Sequence, residues 1–182
     1  MKLRNIALGF IAILCVLCFT TGCSKENEVD EKEEEKVIGN CTIVECMKQL
    51  EPTHTMEDID KIIGFASTTD AMIGSDPIWK FDSKNWISFV KSGEDDITIQ
   101  ATIDKESIKN EDVKLPSSSD LKKDLNNGSF TYEEFVKKVG GEGTLTSISK
   151  GSRIYTWVEK NGQRLSATFN NKSGKCTIAI FR

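Results

Sequence analysis

Apolar and polar positions alternate in four short runs towards the end of the chain: Thr144–Ser149, Arg153–Glu159, Arg164–Asn170 and Lys175–Phe181. Alternation of this kind predicts strands with one buried face. Gly151-Ser152, Asn161-Gly162 and Ser173-Gly174 separate the runs, and Asn-Gly between apolar runs predicts a tight hairpin. Immediately upstream the spacing changes. Phe135, Val136 and Val139 fall on one side of a helix that Thr131 caps, with Glu134 placed to complete a capping box. Gly140-Gly141 ends it, because glycine adopts a left-handed cap without steric cost. This part of the chain therefore predicts a helix followed by a four-stranded antiparallel meander.

The same order recurs, more faintly, upstream. Thr55-Met56-Glu57-Asp58 opens a second capped helix that closes at Gly64. Ile78-Trp79-Lys80-Phe81 matches Tyr155-Thr156-Trp157-Val158, Ile87-Ser88-Phe89 matches the run from Leu165 to Phe169, and Ile97-Thr98-Ile99 matches Cys176-Thr177-Ile178. Ile43, Cys46, Met47 and Leu50 recur at helical spacing, and Leu121 and Leu125 begin the corresponding helix downstream. The pattern predicts an α+β fold made of a tandem repeat of helix–loop–helix plus four-stranded antiparallel sheet. The repeats span residues 40–104 and 121–182, and a polar stretch, 105–120, links them.

The first residues read differently. Met1-Lys2-Leu3-Arg4 is basic, Ile6 to Phe19 is apolar or small, and Thr20-Thr21-Gly22-Cys23 follows. Such a segment predicts an export signal over residues 1–22. The Gly22-Cys23 junction resembles a bacterial lipobox, with Thr20 in place of the usual leucine. Lipidation of Cys23 would anchor the chain to the extracytoplasmic face of the cell membrane through a diacylglycerol. Residues 23–39 are rich in glutamate and lysine, with Val29 the one large apolar side chain from Ser24 to Lys36, and predict a charged tether.

Charge and motifs narrow the chemistry. The formal net charge is -4, with no basic stripe, which argues against nucleic acid. His54 is the only histidine, and there is no nucleophile elbow, HExxH motif or phosphate-binding glycine loop. The sequence predicts no catalytic residue, no cofactor and no metal site, hence a protein that is not an enzyme. After processing, Cys41, Cys46 and Cys176 remain beyond Cys23. Cys41 and Cys46 are close enough to bridge if the chain turns between them, and export permits it. Cys176 starts the last strand, with its side chain expected on the side of Ile178 and Ile180.

The aromatic residues offer the candidate partner contacts. Trp79 and Phe81 share one strand face, Tyr155 and Trp157 share the equivalent face downstream, and Trp86 begins the next strand. On an open sheet face these rings would form a platform for another protein. On the other face they would fill the core, and a one-residue slip in register exchanges the two outcomes.

The run Thr131-Tyr132-Glu133-Glu134-Phe135-Val136-Lys137-Lys138-Val139-Gly140-Gly141-Glu142-Gly143-Thr144, then Tyr155-Thr156-Trp157 and Ala167-Thr168-Phe169-Asn170-Asn171, resembles the beta-lactamase-inhibitory-protein-like fold. It is similar to Gram-positive lipoproteins that share it, and more distantly to small envelope lipoproteins of the SmpA/BamE type. The resemblance implies tandem helix–sheet repeats and an unidentified envelope or extracellular protein as partner, bound through the sheets. The alternative it implies is a structural or assembly component of the envelope.

Overall fold

Three threonines set where helices begin. The computed structural model describes residues 38–72, 74–93, 96–108, 112–126 and 130–182. Thr42, Thr55 and Thr131 are the N-caps of helices α1 (Ile43–Gln49), α2 (Met56–Ile63) and α4 (Tyr132–Val139), each with a complete capping box. Each cap is worth about 0.5–2 kcal/mol. Gly64 and Gly140 end α2 and α4 in the left-handed region, at φ 91° and 79°. The remaining helix, α3, spans Ser118–Asn126, so it begins inside the stretch expected to be linker. A 3-10 turn at Lys105–Ile108 also interrupts that stretch.

A disulfide joins Cys41 and Cys46, with Cα atoms 5.6 Å apart. Cys41 precedes the N-cap of α1 and Cys46 is its fourth helical residue. These are the two positions that an apolar staple joins at a helix start; here the staple is covalent and buried.

The strands are β1 (Thr68–Asp70), β2 (Gly74–Lys80), β3 (Trp86–Lys91), β4 (Ile97–Thr102), β5 (Thr144–Ser149), β6 (Ser152–Val158), β7 (Arg164–Asn170) and β8 (Cys176–Phe181). They form one eight-stranded antiparallel sheet in sequence order. This corrects the expected architecture. The chain is not a tandem repeat of separate helix–loop–helix and four-stranded units, because β4 pairs directly with β5 through Thr98↔Ser149, Ile99↔Ile148 and Gln100↔Ser147. Two four-stranded sheets would each leave two open edges, with unpaired N–H and C=O groups along them. Joining β4 to β5 removes two of those edges.

The four α-helices of the described residues pack on one face of the sheet. One core cluster gathers Ile43, Met47, Ile59 and Ile63 from α1 and α2 with Trp79, Ile87 and Ile99, and it extends across the junction to Leu145 and Ile148. A second gathers Leu121, Phe135 and Val139 with Trp157, Leu165, Ala167 and Phe169. Among the described residues no helix is long and apolar enough to cross a membrane. The expected signal at 1–22, Cys23 and the tether up to residue 37 lie outside the described residues.

Candidate protein-binding surface

Register decides which side each aromatic ring takes. Trp79 is paired with Ile87, and Ile87 with Ala101, so these three face the helices. Tyr155 is paired with Ala167 and Trp157 with Leu165, again on the helix side. Trp79, Phe81 and Trp157 are buried, with Trp79 and Trp157 essentially inaccessible. Their indole N–H groups are satisfied inside: Trp79 Nε1 donates to Asp60 Oδ1 at 2.6 Å, and Trp157 Nε1 donates to the Gly141 carbonyl at 2.9 Å. Of the two outcomes open at the level of sequence, these three rings take the core.

Tyr155 is half-buried and sits with Tyr132 in a cleft of about 300 Å³ on the helix side. Their rings are 4.3 Å apart between centroids. Arg153 enters the cleft and holds Glu51 through Nη2, at 3.1 and 3.2 Å from its two oxygens. Burial, then the neighbouring Tyr155 and Glu142, pushes the Tyr132 phenol up to about 12. Burial also raises Tyr155. Both phenols stay neutral at physiological pH, so the cleft offers hydroxyl groups and aromatic surface and no phenolate base.

Trp86 is the one ring of the five on the other face of the sheet. It is paired with Lys80 and Thr102, one residue out of phase with the core-facing Ile87. Ile78 lies on the same face opposite Ser88, with Trp86 and Val90 at the flanking diagonal positions. In the middle of this face runs a row of hydroxyl groups. Thr146 and Thr156 are 3.1 Å apart between Oγ1 atoms, and Thr156 Oγ1 is 3.0 Å from Ser166 Oγ. A bulge in β5 between Leu145 and Ser147 turns Thr146 into this row.

Beyond Ser166 the face becomes apolar and then basic. Ile180 is paired with Ser166 and Ile178 with Thr168. Their relative exposures are 48% and 55%, on the face opposite the described α-helices. Arg164 and Arg182 exchange both backbone hydrogen bonds, at 3.0 and 2.8 Å, so their side chains leave the sheet side by side on this face.

Cys176 departs from its expected side. A bulge makes Phe169 the partner of Cys176 while Thr168 remains the partner of Ile178. The extra residue, Thr177, reverses the alternation. Cys176 therefore packs with the second core cluster while Ile178 and Ile180 face outward. Burial raises its thiol to about 11.

Sequence reasoning missed the arginine pair because Arg164 and Arg182 meet only through the register of β7 and β8. The apolar alternation of β8 was visible, but not which phase of it stays exposed. Among the described residues no group of three or more histidine, cysteine, aspartate or glutamate side chains is placed to hold a metal ion. No family model, curated protein or solved structure matches this chain.

Proposed function

We propose that the chain is an extracytoplasmic lipoprotein, anchored at Cys23, that binds another protein through the sheet face opposite its described α-helices and performs no catalysis. The observation that carries this reading is the pair Ile178 and Ile180, which leave large apolar side chains in water on β8 opposite the part-exposed hydroxyls of Ser166 and Thr168. Exposed apolar surface bordered by polar groups marks interaction sites. The contact set is then Trp86, Val90, Ile178 and Ile180, with Ser166 and Thr168 supplying hydrogen bonds. Trp79, Phe81 and Trp157 serve by holding the sheet rigid from behind, and Tyr155 lines the cleft on the opposite face.

The test has two parts. Intact mass of membrane-extracted protein should give a diacylglyceryl cysteine as first residue, with release from the membrane in Cys23→Ser. A photo-crosslinking amino acid at position 180, activated in living cells, should give one discrete adduct, whereas the same probe at Lys61 on α2 should not. A mature chain beginning elsewhere ends the anchor. Equal, diffuse labelling from both positions ends the binding face. A stable adduct with a multi-subunit membrane complex would favour the envelope-assembly alternative.

A further inference from the structure

Two arginines stand side by side at the end of β7 and β8 with no described carboxylate in salt-bridge range of either. Like charges directly opposite on neighbouring strands destabilise a sheet. Arg164 is half-buried, and its Nε is a buried donor without a hydrogen-bond partner among the described residues. An unmade hydrogen bond of that kind is costly. Burial, then repulsion from Arg182, lowers the pKa of the Arg164 guanidinium below its usual range. The protein thus holds a cationic pair in a place that works against it, next to Ile180 and Ile178.

A carboxylate between the two guanidinium groups relieves the repulsion. It separates the charges and matches the planar fork that arginine presents to carboxylates. The apolar residues fix what accompanies it. Along β8 this face reads Ile178, Ile180, Arg182, with alternate residues about 7 Å apart. Resting on the protein-binding reading above, we infer that Arg164 and Arg182 seat an acidic side chain of the partner, whose neighbouring apolar side chains lie on Ile178 and Ile180. A polypeptide fits this surface better than an anionic bilayer does, because the chain as a whole is acidic, with a formal net charge of -4, and a bilayer surface reads summed charge.

The experiment uses the full chain in nanodiscs of zwitterionic lipid and a fluorescein-tagged peptide, Leu-Thr-Leu-Thr-Glu-amide, followed by anisotropy. Saturable binding is expected, weakened at least tenfold when the peptide glutamate becomes glutamine. Arg164→Gln/Arg182→Gln should weaken the glutamate peptide by the same factor and leave the glutamine peptide unchanged. Ile178→Ser/Ile180→Ser should weaken both peptides. Arg182→Gln alone should leave the urea midpoint unchanged or higher, since it removes a repulsion; a clear drop would assign the pair to structure and overturn the proposal. Equal binding of the two peptides overturns it. So does competition by free acetate with no dependence on the isoleucines, which is a simple anion site. Binding of phosphatidylglycerol vesicles that depends on the arginines, with no peptide binding, would make the face a membrane contact and overturn it too. A position-180 adduct in cells that survives Arg164→Gln/Arg182→Gln would leave the binding face standing and remove only this inference.

Discussion

Asp60 Oδ1 accepts two donors at once: the indole N–H of the fully buried Trp79 at 2.6 Å and the backbone N–H of Ser67 at 3.1 Å. One carboxylate on α2 thus ties the helix both to the second strand and to the chain that leaves the helix. The pair explains why a tryptophan, with a polar atom to satisfy, tolerates complete burial there.

Asp60→Ala should lower stability by about 1–3 kcal/mol, because it orphans a buried indole donor. Asp60→Asn keeps an acceptor oxygen and should lose less. Urea midpoints of the two variants check this, and equal midpoints for Asp60→Ala and the parent would show that the bond carries no stability.

The second buried tryptophan depends on the absence of a side chain. A Cβ on Gly143 would lie 2.6 and 2.7 Å from two atoms of the Trp157 ring. That ring has little freedom to move, since its N–H is bonded to Gly141 and Phe135 packs against it with centroids 4.9 Å apart. Gly143→Ala should therefore destabilise by about 1–3 kcal/mol, the usual cost of overfilling a packed core. Gly151 has nothing within 4 Å of the equivalent Cβ position, so Gly151→Ala is the matched control and should be nearly neutral. Thermal melts of the two variants separate the effects.

How far the sequence reveals these arrangements depends on the range of the interaction. Caps and stops act within a few residues, and Thr55 with Asp58, or Thr131 with Glu134, are legible because the partners are three apart. Strand limits follow for the same reason: β5 and β7 have the predicted bounds, β6 is shifted by one residue at both ends and β8 starts one residue later. The joining of the halves is not legible. Ile99 against Ile148 is a contact between distant segments, and alternation alone cannot say which strand lies next to β4. Cys176 shows a finer limit, since the bulge at Thr177 leaves the apolar pattern unchanged while it turns one side chain to the other face. Of the proposed binding face, Trp86 alone is legible. Its isoleucines and arginines acquire meaning only when register places them together.

The capping boxes also predict how the fold responds to acid. Glu45 is held below the usual carboxylate range first by the backbone N–H of Thr42 and then by its hydroxyl, both donating to Oε2 at 3.0 Å. Asp58 is lowered first by the Thr55 hydroxyl, at 2.7 Å, and then by its backbone N–H at 3.0 Å. A carboxylate whose pKa is lower in the folded chain binds its proton more readily in the unfolded one. Its contribution is therefore fully present above the unfolded values, about 4.3 for glutamate and 3.9 for aspartate, and is lost as pH falls through the folded values. Glu45→Gln/Asp58→Asn preserves the shape of both boxes and removes the ionised form. The variant should be less stable than the parent at about pH 7, and the two should converge towards about pH 2.5, where the parent carboxylates are themselves neutral. Urea melts of both proteins at several pH values measure the gap. A gap that stays constant across that range would mean the carboxylate charge contributes nothing to the caps.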